Sequence, residues 1–340
     1  MFMPLVRVGS ALLCGAFVCL CGAQTRAADK TEKQTVLTLE NYLKALGYIA
    51  VPLTRGQNND LRVVVQVAGK KREFMVDTGW SLTTIDTSLR SRFKTPRELG
   101  VSVKDAILGV LDNSEEVIID ELKLGTARLL NEPSLVKTLN ASGGSSFADG
   151  VLGCDFLLRH FCLVDCLDLR VYMRSERLSR EEQAGLERTL NQSGLHGAPL
   201  DRTSALVSTC KAAIDGNELV LAIDTGSAHT ILHSKAAERY RLRIYQTNTR
   251  LVGVGTVGNV FAYATRPKLF EVDGVEMPLR GLVLGVTYMS SWKFGAEGSP
   301  LENVDGTLGA DLLAADHGLI DFAGNMLWFK PGKHSRDGAK

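Results

Sequence analysis

Asp-Thr-Gly occurs twice in this chain of 340 residues, as Asp77-Thr78-Gly79 and as Asp224-Thr225-Gly226. Two such triplets in matching contexts supply a pair of carboxylates. Two carboxylates held face to face cannot both ionise, so they share one proton. One then serves as general base towards a water molecule and the other as acid towards a carbonyl oxygen. The chemistry within reach is hydrolysis by an activated water.

Positioning such a pair needs matching elements, and the sequence repeats them in order. Leu61–Val67, the turn Ala68-Gly69-Lys70 and Glu73–Val76 lead into the first triplet. Ala205–Ser208, the turn Ile214–Asn217 and Leu219–Ile223 lead into the second. Each is a strand, a glycine turn and a more continuously apolar strand, which is a hairpin pattern. A polar turn and a short helix follow each triplet, over Asp86–Phe93 and Ser234–Tyr240. The next pair is Ile107–Leu111 and Leu251–Gly255. Sharpest is Asp149-Gly150-Val151-Leu152-Gly153-Cys154-Asp155-Phe156-Leu157 against Asp305-Gly306-Thr307-Leu308-Gly309-Ala310-Asp311-Leu312-Leu313. One Asp-containing strand is expected after each, over Phe161–Met173 and Leu319–Phe329.

Asp-Thr-Gly followed by Gly-x-Leu-Gly-x-Asp-x-Leu resembles the retropepsin-like aspartic proteases of the bacterial branch. Two such units in one chain are similar to a bilobal, pepsin-like arrangement, and the resemblance spans roughly Asp60 to Lys330. It implies a mostly β fold: two homologous retropepsin-like β-barrel lobes with short helices and an active site at their interface. It also implies an aspartic endopeptidase with Asp77 and Asp224 as the catalytic pair, working without cofactor or metal. Thr78 and Thr225 would cross-brace the two turns. Leu152-Gly153 and Leu308-Gly309 would pack behind them, while Gly79 and Gly226 let the backbones approach closely. Asp149, Asp155, Asp305 and Asp311 are expected to hold turns and backbone.

The halves differ beside the triplets. Ser227 offers a hydroxyl to Asp224, whereas Trp80 stands at the matching place in the first half and either lines a substrate pocket or blocks one. A substrate-covering flap is expected from the Gly253–Gly258 stretch (Gly253 and Gly255), from the segment around Gly109, or from both. A phosphate loop is not supported, because the lysine and the strand-to-helix context are missing. His229 and His233 are too few for a metal site. No Gly-x-Ser-x-Gly elbow appears. The alternative to a protease is a catalytically silent peptide-binding protein on the same scaffold.

Residues 1–28 read as an export signal, with Arg7 ahead of an apolar stretch and small residues near Ala23 and Ala28. The stretch is shorter than the roughly 20 residues of a spanning helix, so the mature chain is expected in the periplasm or secreted, without a stable membrane span. Residues 29–59 form an N-terminal segment with a short helix, either a packed element or a pro-segment. Lobe 1 is placed at 60–175, an interlobe linker with an amphipathic helix at 176–203, lobe 2 at 204–333 and a polar tail at 334–340. The linker is expected to become a loop at Gly197-Ala198-Pro199. A formal charge of +1 gives no electrostatic reason for a nucleic-acid partner. A peptide or protein substrate and a monomer are expected, since both half-sites lie in one chain. Cys154, Cys162, Cys166 and Cys210 are expected as buried core thiols, with disulfides left open.

Overall fold

The alternation of Leu61–Val67 is that of a half-buried strand. In a computed structural model, Leu61, Val63, Val65 and Val67 are buried while Val64 and Gln66 face outward. The structure describes residues 38–57, 59–93, 97–98, 103–105, 109–111, 115–139, 148–251, 260–278, 284–287 and 301–332. All of these lie in one contact unit, Thr38–Lys340. Residues 1–28, expected as an export signal, and residues 334–340, expected as a polar tail, lie outside the described residues. Among those described, no helix is long and apolar enough to cross a membrane.

Both predicted hairpins form. Leu61–Val67 pairs with Lys70–Val76, and Ser208–Ile214 with Asn217–Asp224. Each turns through two residues of positive φ, Ala68-Gly69 (48° and 73°) and Asp215-Gly216 (48° and 81°). That geometry matches the twist of the flanking strands and favours glycine at the second place. The second strand of each hairpin then joins a parallel neighbour. Lys70–Val76 lies beside Gly150–Leu152, which runs antiparallel to Thr84–Asp86. Thr84–Asp86 is parallel to Ala127–Lys137, itself antiparallel to Glu115–Leu124. Asn217–Asp224, Gly306–Gly309, Ile231–His233, Leu284–Thr287 and Val260–Thr265 pair in the same order and the same relative directions. The chain is mostly β, as expected, with short helices.

A further sheet takes three strands from each half of the chain. Its order is Ile49–Pro52, Arg170–Met173, Leu163–Asp165, Leu319–Asp321, Met326–Phe329 and His196–Pro199. The single strands expected over 161–173 and 319–329 are therefore each two strands joined by a tight turn. The cause is an aspartate at the end of the first. Asp165 Oδ1 accepts from the backbone N–H of Leu167 and Asp168, and Asp321 Oδ1 from that of Ala323 and Gly324. A side chain that captures these donors folds the chain back instead of extending it. Leu169 and Asn325 complete the turns at φ 52° and 53°.

The segment between the halves carries a 13-residue helix, Arg180–Gln192, opened by a capping box of Ser179 and Glu182. After Gly194 at φ 80° the loop expected at Gly197–Pro199 is instead an edge strand. His196–Pro199 pairs with Met326–Phe329, and an edge position tolerates the proline at its end. The N-terminal segment repeats this plan, with helix Leu39–Ala45 followed by the opposite edge strand, Ile49–Pro52. Leu43, Leu186 and Leu190 are buried in one cluster with Tyr48, Leu163, Tyr172, Leu319 and Trp328. Cys154, Cys162, Cys166 and Cys210 are buried free thiols, and burial raises the pKa of each.

Candidate active site

Each apolar strand runs directly into its triplet, so the parallel neighbour sets where the aspartate emerges. Asp77 N–H donates to the Leu152 carbonyl at 3.1 Å, and Asp224 stands opposite Gly309 in the parallel ladder. The two turns then lock onto each other. Thr78 Oγ1 donates to the Ile223 carbonyl (2.8 Å) and accepts from Thr225 N–H (3.0 Å). Thr225 Oγ1 donates to the Val76 carbonyl (2.8 Å) and accepts from Thr78 N–H (3.1 Å). Both threonines are wholly buried. Buried backbone groups demand partners, and each turn supplies those of the other.

The cross-brace brings the carboxylates together. A methyl placed on Gly79 would stand 2.5 Å from Asp224 Cγ, and one on Gly226 would run into the Asp77 carboxylate. Each glycine therefore leaves room for the acid of the opposite turn. Asp77 Oδ1 accepts from Gly79 N–H at 2.8 Å, and Asp224 Oδ1 from Gly226 (3.0 Å) and Ser227 (2.9 Å) N–H. Both aspartates are buried, 5% and 4% exposed. Burial pushes the Asp224 carboxyl above the ordinary carboxylate range, against the hydrogen bonds from Ser227, Gly226 and the Asp77 side chain.

That shift has a sign in stability. Between the unfolded and folded pKa the folded state holds more protons, so stability falls as pH rises through that window. Above it, the buried charge is a standing cost. Asp224→Asn keeps the acceptor oxygen and removes the charge. Its thermal midpoint is expected to exceed that of the wild type by a few degrees at pH 7.5, with the gain vanishing below about pH 4. Scanning calorimetry across pH checks this, and an equal or lower midpoint at pH 7.5 would refute it.

Behind the turns, further pairs match across the halves. Asp155 Oδ1 accepts from Thr83 N–H and Oγ1, and Asp311 Oδ1 from Thr230 N–H and Oγ1. Thr83 Oγ1 and Thr230 Oγ1 in turn accept from Gly153 and Gly309 N–H. Asp149 and Asp305 accept from Glu73 and Val220 N–H. Leu152 and Leu308 are buried. Sequence reasoning missed Thr83 and Thr230, although each follows its aspartate at the same offset. It also missed the Cys154 thiol, which donates to the Thr78 carbonyl at 3.0 Å.

Ser227 behaves differently from expectation. The Ser227 hydroxyl donates to the His229 carbonyl (2.8 Å), and only its backbone N–H reaches Asp224. The hydroxyl prefers the adjacent carbonyl because the carboxylate oxygen is already held by two backbone donors. Trp80 is buried beside its turn. It is 4% exposed, packed with Met75, Leu139, Ala148 and Val151, and its indole N–H donates to Thr84 Oγ1 at 2.9 Å. Trp80→Ala is expected to lower stability by about 3–5 kcal/mol through the cavity it leaves, read by urea denaturation. A cost under about 1 kcal/mol would contradict this packing role.

Of the candidate flap residues, Gly109 begins the strand Gly109–Leu111, which pairs with Val103–Asp105 as a separate hairpin. Gly253 and Gly255 lie outside the described residues. His233 Nδ1 accepts from Lys235 N–H and caps the helix Ser234–Arg239. His229 stands 3.8 Å from Asp311, and that carboxylate raises its pKa.

A search of curated proteins gives no match. Among solved structures, the chain is similar to an aspartic proteinase from Irpex lacteus (15% identity, 85% of this chain and 99% of that one, TM-score 0.47). It is also similar to basic 7S globulin from soybean (12% identity, 83% and 94%, TM-score 0.46). Conglutin gamma, a basic 7S globulin from lupine seeds, is similar too (10% identity, 85% and 95%, TM-score 0.48). Residues 63–156, which contain Asp77-Thr78-Gly79 and Leu152-Gly153, match the family model described as aspartyl protease.

Proposed function

We propose that this chain is an aspartic-type endopeptidase that cleaves extended peptides with Asp77 and Asp224 as a proton-sharing pair. The observation that carries the reading is reciprocal: the glycine of each Asp-Thr-Gly turn faces the carboxylate of the other. Water held between the acids loses a proton to the ionised one as its oxygen bonds to the scissile carbonyl carbon. The protonated acid gives its proton to the carbonyl oxygen. When the C–N bond breaks, the proton taken from water passes to the leaving amine, and a hydroxyl of the tetrahedral intermediate returns a proton to the other acid, which restores the shared-proton pair. The two halves act as one bilobal, pepsin-like unit of the retropepsin-like bacterial type, and the signal-like residues 1–28 support export to the periplasm or beyond.

The test is cleavage of a peptide library by the purified mature chain across pH, with and without a statine-type inhibitor. Inhibitor-sensitive cleavage at mildly acidic pH is expected. Peptide binding without cleavage at any pH would overturn the reading in favour of a silent binding protein. One chain holds both half-sites, so specific activity is expected to stay constant on dilution. Loss of activity that tracks dissociation in sedimentation would show that a second copy is required.

A further inference from the structure

A second group of chemistry-bearing side chains meets where the two central strands end. Leu163–Asp165 and Leu319–Asp321 run antiparallel with Asp165 opposite Leu319, which sets His317 beside Asp165. The Asp165 side chain is wholly buried, and its Oδ1 is used by the turn described above. Its Oδ2 and the Nε2 of His317 are both buried without a hydrogen-bond partner, yet they face each other at 3.6 Å. A direct N–H···O bond would bring them to about 2.7–3.2 Å. Two ligands each about 2.0–2.2 Å from one tetrahedral zinc ion lie about 3.3–3.6 Å apart. The Asp168 carboxylate joins them, and one ligand atom from each of the three residues lies within 4.8 Å of the others.

We propose that Asp165, Asp168 and His317 form a zinc site with one open position, clipping together the ends of the two central strands. Imidazole nitrogen and carboxylate oxygen are both zinc ligands, and two carboxylates with a neutral imidazole balance its charge. His317 sits at φ 54° at the end of its turn. A proton on His317 is the competing occupant of the same gap. Zinc must displace it, so binding strengthens as pH rises. Sequence reading weighed His229, His233 and the cysteines and expected no metal. The three residues here come from the two halves, and only the pairing of the central strands brings them together.

The experiment is calorimetric titration of zinc chloride into the tag-free, chelator-stripped full chain, with the thermal midpoint measured alongside. One zinc per chain and a raised midpoint are expected. Asp165→Asn retains the turn-forming oxygen, and His317→Asn suits the left-handed backbone. Each is expected to weaken zinc binding by about 100-fold or more, since even outer partners of metal ligands cost 10–100-fold. Absence of stoichiometric zinc binding by the wild type, or binding unchanged in both variants, overturns the proposal. Should a variant fail to fold, cobalt(II) loading of the wild type decides. A visible spectrum of low-coordinate cobalt that fades as His317 protonates supports the site, and a purely aquo-like spectrum overturns it.

Discussion

Asp77→Asn and Asp224→Asn are each expected to lower kcat/KM for peptide hydrolysis by about 100-fold to 10,000-fold. Asparagine matches the volume of aspartate and keeps an oxygen for the N–H of Gly79 in one turn, and of Gly226 and Ser227 in the other. The fold therefore has no reason to change. What disappears is the exchangeable proton, because one carboxylate alone cannot serve as base to the water and acid to the carbonyl. A fluorogenic peptide assay, paired with near-ultraviolet circular dichroism to verify folding, makes the measurement. Near-normal turnover by either folded variant would sink the shared-proton mechanism. The double variant should be little worse than either single one, since residues acting as a unit are not additive.

Thr78→Val and Thr225→Val are expected to destabilise the protein by about 2–6 kcal/mol each, and to reduce activity in whatever folded protein remains. Each hydroxyl both donates to a carbonyl and accepts an N–H from the opposite turn, at 2.8–3.1 Å. Valine fills the same space but leaves two buried backbone groups unpaired, at about 1–3 kcal/mol apiece. Against a typical total of about 5–15 kcal/mol that is a large loss. Thr→Ser should recover most of it, because the hydroxyl remains. Urea denaturation of the four single variants tests the idea, and a valine cost below about 1 kcal/mol would mean that the brace contributes little.

The two triplets, the hairpins ahead of them and the apolar-glycine motifs were legible because each depends on neighbours close in sequence. Ala68-Gly69 and Asp215-Gly216 turn their own hairpins, and the period-two alternation of Leu61–Val67 assigns its faces without reference to anything distant. The helices over Leu39–Ala45 and Arg180–Gln192 announced themselves in the same way, through local apolar spacing.

Other features depended on competition that no local pattern reveals. Asp165 and Asp321 each had the choice of extending a strand or capturing the N–H groups ahead, and they captured. Gly197-Ala198-Pro199 reads as a loop by composition, yet the free edge of Met326–Phe329 recruits it as a strand. Ser227 had two acceptors in reach, and the His229 carbonyl won over a carboxylate oxygen already served by two backbone donors. Trp80 packs into the cluster around Met75 and Val151, neighbours that its place beside a triplet does not name. Sequence by itself determined the identity of the paired acids and the turns that carry them, since those follow from local backbone chemistry. Tertiary structure alone decided that Gly79 faces Asp224, that Gly226 faces Asp77 and that His317 meets Asp165, because each contact joins residues whose separation is closed only when the strands pair.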